Sequence, residues 1–161
     1  EGLEGLEGLE GSRVCFHLSP ETLAVTTAAS WRVGQNLNLE RSLKWGDELG
    51  GHVVSGHVDG VGELATITKA VDAWQLGIAL PSALAGMVAV KGSIAINGCS
   101  LTVNKIGEEM AGDGKRTIID ITLIPHTITH TCFQFDAVGD KVNIEVDMLF
   151  RYVKRALDMM K

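Results

Sequence analysis

Residues 50–62, GGHVVSGHVDGVG, hold the densest set of groups able to do chemistry. His52 and His57 can move protons, because an imidazole titrates near working pH. They could also ligate a metal, but a five-residue spacing on a strand turns the two side chains to opposite faces. No cysteine or carboxylate cluster completes a zinc shell around them. Glycines at 50, 51, 56, 60 and 62 either let backbone amides approach a ligand or allow barrel bends. Neither GxGxxG nor GxxxxGK occurs here, which argues against a phosphate loop.

A second cluster, KGSIAINGCSLTVN at 91–104, reads as strand, Asn97-Gly98 turn, strand. Alternation sets Ser100 and Thr102 on one face and Cys99 and Leu101 on the other. Two hydroxyls beside a tight turn could hydrogen-bond a flat polar ring, or could be ordinary β-favouring residues. Cys99 could be a nucleophile, but its opposite face suits a small buried packing residue. In a third cluster, TLIPHT at 122–127, Pro125 interrupts the ladder and frees the surrounding amides, for a ligand or in a structural bulge.

The elements that must position these groups are short, glycine-punctuated runs: VCFHL, LNLE, GHVVSGHV, ELATIT, WQLGIAL, GSIAI, SLTVNKI, TIIDITLI, TCFQFDAV and KVNIEV. Their Val, Ile and Thr content and their turn signals favour antiparallel strands in a small barrel or sandwich. Two stretches look helical, PSALAGMVA at 81–89 and DMLFRYVKRALDMMK at the C-terminus. In the latter, Leu149, Val153, Ala156, Leu157 and Met160 form one apolar stripe, and Asp147 can cap the start. A helix this short must bury its stripe, either on its own barrel or against the same helix of other subunits.

Two stretches 105 residues apart say nearly the same thing: LSPETLAVTT at 18–27 and LIPHTITHTC at 123–132, continued by VGQNLNLE at 33–40 and VGDKVNIE at 138–145. A domain-sized offset reads as tandem duplication, yet 161 residues hold one complete domain and a remnant. The net charge of −6 includes the glutamates at 1, 4, 7 and 10, so the remainder is nearly neutral and offers no footprint for nucleic acid or an anionic membrane. The absence of a long apolar run argues against a membrane span. Three scattered cysteines suit a reducing, cytoplasmic compartment. Residues 1–11, EGLEGLEGLEG, read as a disordered leader or an artefact, without a signal-peptide pattern.

Taken in order, LERSLKWGDELGGHVVSGHVDGVG, KGSIAINGCSLTVN, LIPHT and GDKVNIEVDMLFRYVKR resemble riboflavin synthase, a family of two tandem lumazine-binding barrels and a C-terminal helix. The resemblance implies an all-β fold, a six-stranded antiparallel Greek-key barrel with a C-terminal α-helix. Residues 12–47 would be the remnant of a first barrel, 49–147 a complete barrel and 148–161 an oligomerisation helix. The first barrel's opening strand and its own NGxxLTV hairpin have no counterpart before Val14. The implied reaction is dismutation of two 6,7-dimethyl-8-ribityllumazine molecules to riboflavin and a ribitylaminopyrimidinedione, with no cofactor and no metal. The alternatives are a lumazine- or flavin-binding protein without catalysis, or an inactive fragment.

The same resemblance implies a trimer and, as a further partner, lumazine synthase. It assigns substrate binding to Gly56, His57 and Val58, to Lys91, to Ser100, Leu101 and Thr102, and to Thr122, Leu123, Ile124, Pro125, His126 and Thr127. From the first barrel it adds His17, Leu18, Ser19, Pro20, Glu21 and Thr22. His57 would handle protons, Ser100 and Thr102 would orient the ring, and Asp147 would support catalysis across the subunit contact, beside its reading as a helix cap.

Overall fold

The structure is a computed structural model that describes residues 14–111 and 114–160; the leader at 1–11 lies outside them. Six strands follow one another among the described residues: β1 (Gly60–Lys69), β2 (Trp74–Ala79), β3 (Ser93–Ile96), β4 (Cys99–Ala111), β5 (Gly114–Leu123) and β6 (Lys141–Val146). They close into an antiparallel barrel in the order β1-β2-β5-β4-β3-β6, so every strand has two neighbours. Closure leaves no exposed ladder edge along most of its circumference.

Alternation builds the core. Leu101 and Val103 of β4, Ile94 and Ile96 of β3, and Val142, Ile144 and Val146 of β6 point inward and are buried. Ile78, Ile119, Ile121 and Leu123 complete the layer, with Phe133 packed into the same cluster. Each such aliphatic side chain contributes about 1.5–3 kcal/mol on burial. The β3–β4 hairpin turns on Asn97 (φ 48°) and Gly98 (φ 80°), the two left-handed residues that a tight two-residue hairpin requires.

Among the described residues, three short α-helices flank the barrel: α1 (Pro20–Val25), α2 (Pro125–His130) and α3 (Met148–Asp158). PSALAGMVA, expected to be helical, forms a 3₁₀ helix over Ser82–Met87. The runs VCFHL, LNLE and GHVVSGHV are not strands, and no strand precedes Gly60 among the described residues. TCFQFDAV likewise contains a 3₁₀ turn, Cys132–Phe135. Their alternating patterns suit strands, but pairing needs neighbours, and the six barrel strands already satisfy one another. No helix among the described residues is long and apolar enough to cross a membrane.

The 105-residue echo folds as an echo. Pro20 and Pro125 each open a six-residue helix. Thr26 and Thr131 then turn the chain into a 3₁₀ helix, and their hydroxyls donate to the carbonyls of Thr22 and Thr127 at 2.6 and 2.7 Å. The two units also grip each other. The Thr27 N–H donates to Asn143 Oδ1 at 2.8 Å, and the Cys132 N–H donates to Asn38 Oδ1 at 2.7 Å. Donor and acceptor exchange places between the copies, as across a two-fold axis.

Candidate functional site

The outer face of β4, β3 and β6 carries Ser100 and Thr102, two of the residues singled out by sequence. Register sets Ser100 opposite Ala95, and Ala95 opposite Glu145, in one row across the three strands. The next row joins Thr102 to Ser93, and Asp147 follows directly on Val146, the last residue of β6, which pairs with Ile94. The glycine-rich segment crosses over the first row. Its Gly51–His52 end meets Ser100, and its Ser55–Gly56 end meets Glu145.

Glu145 fixes the second of those ends. Its carboxylate is 5% exposed and accepts from the Ser55 N–H and hydroxyl, both at 2.8 Å, and from the Gly56 N–H at 3.0 Å. Burial alone would raise its pKa; bonds from the Ser55 side chain and from the backbone of Ser55, His57 and Gly56 outweigh that and hold it below the usual carboxylate range. His57, exposed, has Nδ1 2.9 Å from Ser55 Oγ. Its carbonyl accepts from Arg151 Nη2 of α3, which also donates to Asp59 Oδ2 at 2.8 Å. Asp59 in turn accepts the Val146 N–H at 2.8 Å, so α3, β6 and the GHVD turn are tied together.

A second locus lies at the β4–β5 junction. β4 pairs with β5 only from Val103 onward, so Ser100 and Thr102 have ladder partners on β3 alone. Likewise Thr122 and Leu123 pair with β2 but not with β4. Backbone groups that turn away from the paired side therefore have no ladder partner there and can bond a ligand or water. Asn104 Nδ2 donates to Thr122 Oγ1 at 2.8 Å across this gap. Lys91 stands at its foot in a left-handed conformation (φ 66°), its N–H bonded to Val103 O at 2.7 Å. The side chains of Leu101 and Leu123 turn into the core, which leaves only their backbone for contact.

The remaining sequence candidates fall elsewhere. Ile124 is the N-cap residue of α2 and Pro125 its first residue, His126 stacks on His130 with centroids 4.0 Å apart, and Thr127 accepts from Thr131 through its carbonyl. His17 and Leu18, together with Gly56 and Val58, line a groove of about 1060 Å³ between segment 16–39 and the barrel. Ser19 caps α1 by accepting from the Thr22 N–H at 3.0 Å, while Pro20 and Glu21 form its first turn. Asp147 accepts the Leu149 N–H at 3.0 Å, so its carboxylate caps α3. Cys99 is half-buried, and burial, with Glu40 nearby, raises its pKa and keeps it a thiol.

Sequence reasoning missed His52 as the partner of Ser100: Nδ1 lies 2.7 Å from Ser100 Oγ. Treating 50–58 as one strand separated the two histidines by face but gave neither of them a neighbour across the barrel.

The closed six-stranded barrel is a lumazine-binding barrel: residues 55–147 match the lumazine binding domain model, and the chain belongs to that family. It is 43% identical over 141 residues to riboflavin synthase of Brucella abortus (strain 2308), covering 88% of this chain and 66% of the relative. Against riboflavin synthase of Bacillus subtilis (strain 168) it is 38% identical over 138 residues, covering 86% and 60%. The chain thus spans about three fifths to two thirds of the length of the curated relatives it matches. A solved structure of LumP complexed with riboflavin superposes with a TM-score of 0.66 at 27% identity, covering 78% of this chain and 64% of that one. LumP complexed with 6,7-dimethyl-8-(1'-D-ribityl) lumazine gives 0.64 at 25%, with 78% and 63% covered.

Proposed function

We propose that this chain is a riboflavin synthase, a transferase that moves a four-carbon unit between two molecules of 6,7-dimethyl-8-ribityllumazine and releases riboflavin and 5-amino-6-ribitylaminopyrimidinedione. The observation that carries the proposal is the outward row Ser100–Ala95–Glu145 spanned by the glycine-rich segment that bears His57, with Thr102 one row further on. The unpaired backbone at the β4–β5 junction lies beside it. Identity to riboflavin synthases along most of the chain supports the same reading.

In this reading the ladder-free groups of Ser100 to Thr102 and Thr122 to Ile124 hold the edges of one flat ring, and Lys91 and Thr127 border it. Gly56, His57 and Val58 cover its face. His57 passes the proton of an acidic methyl group, a general acid–base contribution of typically ~10²–10⁴-fold. Holding two rings in contact supplies proximity worth up to about 7–11 kcal/mol in favourable systems. The second ring is met by a first-type barrel, of which residues 12–47 with His17 to Thr22 are the tail and 49–147 the complete companion. The reciprocal Asn38 and Asn143 contacts support that pairing.

A trimer assembled through residues 148–161, with Asp147 at the subunit contact, belongs to the same reading. It is supported by the exposure of Leu149, Val153 and Leu157 on α3. A cytoplasmic location fits three unpaired cysteines. Lumazine synthase is the partner this reading names, as the maker of the substrate.

Mixing the purified chain with 6,7-dimethyl-8-ribityllumazine and assaying riboflavin by chromatography tests the proposal. Riboflavin formation proportional to protein, reduced about 10²-fold or more by His57→Ala, is the expected result. Saturable quenching of lumazine fluorescence without riboflavin would instead favour a binding protein, a second reading that the likeness to LumP supports.

A further inference from the structure

We infer that His52 is a positioning residue that fixes the Ser100 hydroxyl as a hydrogen-bond donor toward the bound ring; this rests on the lumazine-binding reading of the outer face. The Ser100 oxygen accepts the His52 backbone N–H at 3.2 Å, and His52 Nδ1 lies 2.7 Å away. A Cβ at position 51 would collide with the same oxygen, so Gly51 is what lets the segment come this close. The far ring nitrogen, Nε2, is buried and has no hydrogen-bond partner among the described residues.

That orphan decides the tautomer. A proton on Nε2 would bury an unsatisfied N–H, the rarer and costlier defect, whereas an unprotonated Nε2 buries only an unused lone pair. The proton therefore sits on Nδ1 and is donated to Ser100 Oγ. With one lone pair taken by the His52 N–H and the other by Nδ1–H, the serine can use its own hydrogen only as a donor. Ser100 lies on the outward face of β4, so that donor is aimed at an acceptor there, a carbonyl oxygen or ring nitrogen of the heterocycle. His52 touches no substrate in this arrangement.

The test is a double-mutant cycle on the affinity for 6,7-dimethyl-8-ribityllumazine, read by fluorescence, with ring ¹⁵N shifts of His52 measured in the free protein. His52→Ala should weaken binding by about five- to ten-fold, as expected for one neutral hydrogen bond. The same change made on Ser100→Ala should weaken it no further. His52→Asn, whose amide can stand where Nδ1 stands, should restore most of the affinity. His52→Gln, which fills the volume but extends its amide toward the Nε2 position, should not. The ring shifts should report an Nδ1–H tautomer that weakens in Ser100→Ala.

Additive losses in the cycle, equal rescue by Gln and Asn, or an Nε2–H tautomer would each overturn the inference. If the wild-type chain binds no lumazine at all, the functional reading fails, and the free-protein ¹⁵N shifts still decide whether His52 orients Ser100.

Discussion

Two carboxylates on one side of the barrel behave oppositely, and the difference is hydrogen bonding. Glu145 is buried but receives three donors, so its charge is held on the protein. Asp136, half-buried beside Asp140, has one oxygen without a partner among the described residues, and desolvation with that neighbouring charge raises its pKa to about 6. A raised carboxyl pKa means that the native state binds the proton more tightly than the unfolded chain. Its contribution is present below the unfolded value of 3.8 and is lost as pH rises through 6. Urea unfolding should therefore show a loss of on the order of 1–2 kcal/mol between about pH 4 and pH 7, solvent screening of the half-buried group keeping it below the full linkage value, and Asp136→Asn should abolish most of that slope. The group responsible was not legible in the sequence, because nothing in FDAVGD tells which acid lacks donors. Ser100 and Thr102 were legible, since period-two alternation from a tight turn fixes their face. The partner of Ser100 was not, because His52 reaches it from 48 residues away.

Among the elements, α3 depends most on something outside itself. Eleven residues are marginal as an isolated helix. Its ties to the barrel are few: Arg151 on Asp59 and the His57 carbonyl, the Asp147 cap, and contact with the 3₁₀ helix over Ser82–Met87. The stripe foreseen from periodicity stands exposed instead of buried on its own barrel, with Leu149 at 69% and Val153 at 55%. In the proposed assembly through α3, a Val153→Glu change should leave the barrel folded and lower the mass seen by light scattering to the 17.2 kDa of one chain. An unchanged mass would mean that assembly does not use this helix. The strands ELATIT, WQLGIAL, GSIAI, SLTVNKI, TIIDITLI and KVNIEV were readable because each buries one face in the core. VCFHL, LNLE and GHVVSGHV carry equally good patterns without being strands, since a pattern states which residues could be buried and not which neighbour is there to pair. The six-residue helices α1 and α2 were hidden for the opposite reason: one turn and a half is too short to show a period, although proline at the first position was a usable sign.

At the scale of the whole molecule, the repeat was the most legible feature of all, since eight identities held their spacing without insertion from residue 18 to residue 145. Its meaning as a contact was not, because sequence shows that two segments are alike and is silent on whether they touch. Asn38 is the key on the first side: it accepts from Cys132 and donates through Nδ2 to the Asn97 carbonyl at 2.9 Å. Asn38→Ala should release segment 14–49 from the barrel, at about 1–3 kcal/mol for the groups left unpaired. Limited proteolysis followed by mass spectrometry should then show faster cleavage in that segment, with the six-stranded barrel as the surviving fragment. The exchange of donor and acceptor between the copies has a consequence for ancestry. A single barrel bearing both Cys132 and Asn143 already carries lock and key on one surface, and two such barrels could clasp each other face to face with no new residue. The seam inside this chain is then the surviving imprint of a symmetric pair of separate molecules, and fusion of their genes made permanent a handshake that was once renewed at every encounter.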